Sequence, residues 1–140
     1  MASILKVDDL RGNTAAGNIT ITSEGGAATM QLQQGIGKAW VNFTQISTQT
    51  VRDSLNISSI TDAATGRTYP ISYTNSMNNG DYTGSWFTSC STNLDYTYLD
   101  NQYAGGFGSR ITASCGVRSY GSSGDVDSIA CDLIIHGDLA

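Results

Sequence analysis

The chain has 140 residues, a length that points to one domain or one domain plus an arm. Lys and Arg number 7 against 12 Asp and Glu, for a formal net charge of -5, and charged residues make up only 14%. Ser, Thr, Gly and Asn together supply about 40% of the residues, while Lys6, Lys38 and Glu24 are the only Lys and Glu, so the usual helix formers are scarce. The sign of the charge disfavours nucleic acid, whose phosphates need clustered Lys and Arg. No apolar run approaches the roughly 18 residues of a membrane span, so no membrane insertion is expected. The first twenty residues lack a charged start followed by an apolar block, so no secretory signal is expected either. Seven Tyr, three Phe, two Trp and many β-branched residues argue against disorder. What remains is an acidic all-β domain.

In chain order, residues 1–35 form a sparse arm with three short β-like runs, around Leu5-Lys6-Val7, Asn18–Thr22 and Thr29–Gln33. Arg11-Gly12-Asn13 and Glu24-Gly25-Gly26 are turn clusters between them. Each run offers two apolar side chains, too few for an isolated hairpin in water. The arm is therefore expected to pack on something else, with Leu5, Val7, Ile19, Ile21, Met30 and Leu32 as the contact residues.

Residues 36–140 carry a stronger pattern. Ala39, Val41 and Phe43 share one strand face, leaving Trp40 on the polar face with Lys38 and Asn42, where a large ring calls for a partner surface. Val51, Leu55 and Ile57 share a parity that Ile60 breaks. Ala64-Thr65-Gly66 is a turn, and Tyr69, Ile71 and Tyr73 follow in register, with Pro70 assigning that strand to an edge or a strand start. Asn79-Gly80 is the strongest hairpin signal, leading into Asp81–Phe87. Leu94, Tyr96 and Tyr98 form the next strand. Two long strands close the chain, Ile111, Ala113, Cys115 and Val117, then Ile129, Cys131, Leu133 and Ile135, joined by Gly121-Ser122-Ser123-Gly124 as a hairpin loop. Seven strands at about 12-residue spacing predict an antiparallel β-sandwich or jelly roll preceded by an extended β arm.

Catalytic signals are weak. His136 is the one imidazole, 17 serines make any triad arithmetic unspecific, and no GxSxG elbow is present. Asp95 and Asp100, or Asp125 and Asp127, could be written as a carboxylate pair or a calcium cluster, yet aspartate is also a common turn residue. Gly105-Gly106-Phe107-Gly108 lacks the Lys-Ser/Thr of a phosphate loop. Cys90, Cys115 and Cys131 show no CxxC spacing, leaving free thiols, or one disulfide and a spare, as the readings. The sequence thus predicts no enzyme, no cofactor and no metal. Trp86, Phe87, Tyr96, Tyr98, Tyr103 and Phe107 fall within 22 residues among Ser, Asn and Asp. Such rings either fill a small core or suit saccharide recognition, and Trp86, Tyr96, Tyr98, Tyr103 and Phe107 are the candidate receptor-binding residues.

Lys38–Phe43 followed by Val51–Asp62 resembles a recurring module of tailed bacteriophages, notably marine and cyanobacterial ones, in tail-fibre-like or unassigned virion proteins. A start similar to Ile4–Leu10 and a close similar to Ile134–Ala140 belong to the same resemblance, which covers roughly residues 4 to 10, 28 to 75 and 126 to 140. The chain departs from it in carrying Ala63-Ala64-Thr65-Gly66 where those proteins commonly have Asn-Gly turns, and residues 76 to 125 have no counterpart. The resemblance implies a virion protein assembled in the bacterial cytoplasm. A short trimeric tail fibre or spike is expected, its arm bound to another tail or capsid protein and its sandwich contacting a host saccharide. The alternative is a decoration protein clipped to the head. In either, Trp40 and the arm residues named above make the subunit contact.

Overall fold

The computed structural model describes residues 5–15, 19–22, 25–26, 28–89, 94–99 (backbone only), 110–121 and 124–140. The chain divides into two units, residues 1–36 and 37–140.

In the first unit, β1 (Thr20–Thr22) and β2 (Thr29–Gln31) pair antiparallel, with Ile21 opposite Met30. The alternation expected through Gln33 stops at Gln31, where one helical turn, α1 (Leu32–Gly35), begins. The Leu32 N–H donates to the Ile19 carbonyl at 2.7 Å, closing the small hairpin. The run at Leu5-Lys6-Val7 is not a strand, because two apolar side chains without a partner strand cannot hold one. Leu5 and Val7 stand 77% and 53% exposed.

The second unit is an antiparallel β-sandwich. Its strands are β3 (Ala39–Thr44), β4 (Thr50–Leu55), β5 (Ile57–Ala64), β6 (Arg67–Tyr73), β7 (Thr83–Ser89), β8 (Leu94–Leu99), β9 (Ser114–Gly121), β10 (Gly124–Asp125) and β11 (Ala130–His136). One sheet has the order β4-β3-β11-β7; the other runs β10-β9-β6-β5, with β8 also paired to β9. Inward residues follow the predicted parity on β3 (Ala39, Val41, Phe43) and β11 (Cys131, Leu133, Ile135), and they meet Ile71, Tyr73, Cys115 and Val117 from the opposite sheet in one core. Met77 and Tyr82, from the crossover after β6, complete that core.

Among the described residues this unit has nine strands against the expected seven, partly because the chain changes sheets at a single residue between β4 and β5. Asn56 separates β4 from β5 and takes a left-handed backbone at φ 58, a region asparagine tolerates. Its Nδ2 donates to the carbonyls of Lys38 and Asn75, at 3.1 and 3.0 Å, and its Oδ1 accepts from the Asn75 N–H at 2.6 Å. The corner therefore stitches the start of β3 to the end of β6. The broken parity at Ile60 has another cause: Ile57 and Ile60 both lie on β5, whose ladder against β6 shifts register between Ile57 and Ser59, the bulge that the pattern suggests.

Four local expectations are corrected. Pro70 lies in β6, which has β5 on one side and β9 on the other; the ladder shifts register on both sides near Pro70, so the missing N–H interrupts nothing. Asn79-Gly80 joins no hairpin, because β6 and β7 belong to different sheets. Asn79 instead forms an Asx turn, its Oδ1 accepting from the Asp81 N–H at 2.8 Å. Ile111 precedes β9 in a turn and is 44% exposed; likewise Ile129 precedes β11. Finally, β9 pairs antiparallel with the two-residue β10, Gly121 opposite Gly124, and the chain then crosses to the other sheet before β11.

The predicted turn at Gly66 is present between β5 and β6. Its φ is +67, and an added Cβ would stand 2.5 Å from the Ser119 carbonyl oxygen, so a side chain here meets both strain and backbone. Close by, Gln45 is 1% exposed. Its Oε1 accepts from Ser119 Oγ at 2.8 Å and from the Ser128 N–H at 3.2 Å, and its Nε2 donates to Thr68 Oγ1 at 3.1 Å. One amide thus ties the end of β3 to β6 and β9 of the facing sheet. Truncating Gln45 to alanine orphans buried donors and acceptors, each costing about 1–3 kcal/mol. Urea unfolding of Gln45→Ala is expected to show a loss of about 3 kcal/mol, with the slope of the transition unchanged.

Candidate functional site

The outer face of the β4-β3-β11-β7 sheet gathers the described side chains best suited to binding. Strand register places Leu55, Trp40, Ile134 and Ser85 in one cross-strand row, and Asp53, Asn42, Asp132 and Phe87 in the next. The first row is mostly apolar: Leu55 is 48% exposed and Ile134 37%. In the second row Phe87 is the most exposed ring of the described sandwich, at 67%. A groove of about 290 Å³ runs between them, lined by Trp40, Ser85, Trp86, Phe87, Asp132 and Ile134 among others.

Polar groups in this face are ordered. A bulge on β4 between its pairings with Asn42 and Phe43 turns Arg52 over the sheet. The Arg52 guanidinium donates to the Ile129 carbonyl at 2.8 Å and, more weakly, to Asn42 Oδ1 at 3.4 Å. Asn42 Nδ2 in turn donates to Asp132 Oδ1. The line Arg52–Asn42–Asp132 thus leads across three strands toward Phe87. Sequence parity could have found Trp40 and did; it could not have found Phe87 beside it, because β7 is 40 and more residues away in the chain.

The predicted aromatic cluster is divided by the fold. Trp86 faces inward from β7, its ring 5.6 Å from that of Phe43 and tilted by 40°, while its neighbour Phe87 faces out. Tyr96 and Tyr98 fall on β8 of the other sheet, opposite Tyr120 and Arg118 of β9. Tyr103 and Phe107 lie outside the described residues, as do Cys90 and Asp100. Trp40 is half-buried on the outer face. In the first unit, Leu5, Val7, Ile21 and Met30 are exposed, while Ile19 and Leu32 are half-buried.

Of the groups weighed for chemistry, Asp125 and Asp127 have structural partners, and the side chains of Asp95 and Asp100 lie outside the described residues. Asp125 receives Arg67 and Arg118 together, with Arg67 Nη2 at 2.8 Å. Burial alone would raise its pKa; the hydrogen bonds and charges of Arg118 and Arg67 outweigh that and hold the carboxyl below its ordinary value. Asp127 accepts the Gly66 N–H at 2.6 Å. His136 is half-buried at the end of β11, opposite Thr83. Cys115 and Cys131 are buried free thiols, pushed up to about 11 and about 12 by burial, so neither is a ready nucleophile or metal ligand near neutrality. Tyr82 Oη donates to the Ser114 carbonyl at 2.9 Å, and burial raises its pKa to about 12. Burial drives Tyr73 higher still. Among the described residues no group of three His, Cys, Asp or Glu could hold a metal ion.

No protein-family profile, no curated protein and no solved structure matches the chain.

The Asp125 cluster sets a pH dependence. Its folded pKa lies below the unfolded one, so the stabilisation is complete above the unfolded value of about 4 and is lost as pH falls through the folded value. Asp125→Asn is expected to lower stability by about 1–2 kcal/mol at pH 7, and its deficit against the parent should shrink toward pH 3 in urea titrations at the two pH values.

Proposed function

We propose that this chain is a non-enzymatic structural protein of a phage particle, present in several copies as a short tail fibre or spike-like appendage. The observation that carries the reading is the apolar surface of the first unit. Leu5, Val7, Leu10, Ile21, Met30 and Ile36 are 43–77% exposed, in a segment whose one hairpin has three residue pairs. Side chains of this size in so small a unit call for neighbours, and a multi-copy assembly supplies them. The resemblance of Lys38–Phe43 and Val51–Asp62 to virion modules supports the same setting. In this reading the first unit provides the threefold contact and the attachment to another virion protein. The sandwich projects and meets a host-surface saccharide through the tyrosines of 94–107. A head decoration protein is the second reading, in which the apolar surface of the first unit docks on the capsid instead.

Electron microscopy of particles carrying a gold-labelled tag after Ala140 tests this directly. Label at the tail is the expected result; label spread over the head selects the decoration reading, and unlabelled particles overturn both. For the saccharide contact, binding of the parent chain to host envelope polysaccharide and its loss in Tyr98→Ala or Tyr103→Ala are the expected outcomes.

A further inference from the structure

Asn79-Gly80 forms no hairpin, and its place in the fold gives the pair a different chemistry. It is the one Asn-Gly pair among the nine asparagines of the chain. After an asparagine, the next backbone nitrogen can attack the side-chain amide carbon, and glycine, having no Cβ, obstructs that approach least. The pair lies outside every strand, in the crossover from β6 to β7, and Asn79 is exposed. Among the described residues the Gly80 N–H has no acceptor and Asn79 Nδ2 has no partner. Asn79 Oδ1 accepts the Asp81 N–H, so the oxygen that gains charge during attack already faces a donor. The fold also holds the second position for glycine, since an added Cβ would stand 3.0 Å from the Arg110 carbonyl oxygen. Other asparagines are held differently. Asn56 has both ends of its amide bonded to backbone and is followed by Ile57. Asn42 is engaged by Asp132 and Arg52 and precedes Phe43 within β3.

We propose that Asn79 is a site of spontaneous covalent modification in the folded protein, converting to aspartate and isoaspartate. The Gly80 nitrogen forms a bond to Asn79 Cγ, the Cγ–Nδ2 bond breaks, and ammonia leaves with the proton that Gly80 gives up. The product is a five-membered succinimide. Water then opens the ring on one side or the other. Cleavage of the new bond to Cγ gives aspartate on the original backbone. Cleavage at the Asn79 main-chain carbonyl gives isoaspartate, whose main chain runs through Cγ and is one carbon longer. Water is the only reactant consumed, and either product adds one negative charge beside Asp81. The position matters because residue 79 lies between two core anchors. Met77 and Tyr82 are 1% and 2% exposed. Tyr82 Oη is fixed on the Ser114 carbonyl, and Gly137 packs so close that an added Cβ would stand 2.7 Å from Tyr82 Cβ. The Asn78 N–H donates to the Asp138 carbonyl at 2.7 Å. A longer main chain between fixed ends strains the crossover, whereas the aspartyl product keeps both the chain length and an acceptor for the Asp81 N–H. The inference is independent of the virion assignment.

Mass spectrometry reads the conversion residue by residue. The purified full chain is incubated for weeks at mildly alkaline pH and body temperature, folded or unfolded in guanidinium chloride, then digested. Electron-transfer fragmentation distinguishes isoaspartate from aspartate. In the folded chain the Asn79 peptide is expected to gain one mass unit at least roughly tenfold faster than the peptides of Asn42 and Asn56, and within about threefold of the unfolded chain. No gain at Asn79, a rate no faster than at Asn42 and Asn56, or a folded rate more than roughly tenfold below the unfolded one overturns the proposal. A second measurement tests the strain. Asn79→Asp carries the same added charge on an unaltered backbone, and position 79 is exposed, so the variant spares the core. Aged protein enriched in isoaspartate is expected to unfold at lower urea than Asn79→Asp. Equal midpoints would remove the claim that residue 79 bridges two fixed anchors.

Discussion

The two sheets of this sandwich are held in register by a buried amide at the end of β3, with the Asn56 corner at its start. The apolar core is small, about a dozen side chains, and by itself would let the sheets slide, since hydrophobic contact has no direction. Gln45 supplies direction. Its carboxamide leaves the end of β3, enters the opposite sheet and engages Thr68, Ser119 and the Ser128 backbone together. Those partners set the neighbouring turn as well. The Ser119 N–H donates to the Gly66 carbonyl at 2.7 Å, and the Gln45 N–H donates to the Ser128 carbonyl at 2.9 Å. Gln45 thus ties the β5–β6 turn, the β9 strand and the approach to β11 to one another.

The same economy governs the surface. A chain with 14% charged residues cannot rely on networks of ion pairs, and its corners are instead held by short polar side chains bonding to backbone. Asn56 fixes the sheet change, Asp127 the Gly66 turn, Asn79 the crossover to β7. A concentrated charge cluster, Arg67, Arg118 and Asp125, ties β6, β9 and β10 at the same end of the sandwich. These bonds explain why Asp125 and Asp127, which look like a catalytic or calcium-binding pair in the sequence, serve as strand and turn fasteners.

Much of this architecture is legible in the residues because period-two alternation is local. Ala39, Val41 and Phe43, and Cys131, Leu133 and Ile135, declare their inward faces, and Gly66 declares its turn. The failures have a common cause in chain crossing between sheets. Asn56 reads as a strand residue and acts as a corner. Asn79-Gly80 reads as a hairpin and acts as a bend between sheets, because turn chemistry says that the chain reverses, not which strand it will then join. Gln45 was invisible for a different reason: a lone glutamine after a strand looks like surface, and the partners that bury it come from 23 to 83 residues away. The candidate face was half legible, since parity exposes Trp40, but its neighbours Ile134 and Phe87 come from elsewhere in the chain.

What the chain does not bury is as informative as its core. Exposed apolar residues recur in the first unit and on the outer face of the β4-β3-β11-β7 sheet, and those of the first unit await other copies in this account. Sedimentation equilibrium of the purified full chain measures that requirement without any assumption about location. The account predicts a mass of two or more times 14.8 kDa, and a single-chain mass across micromolar to millimolar concentration would contradict it.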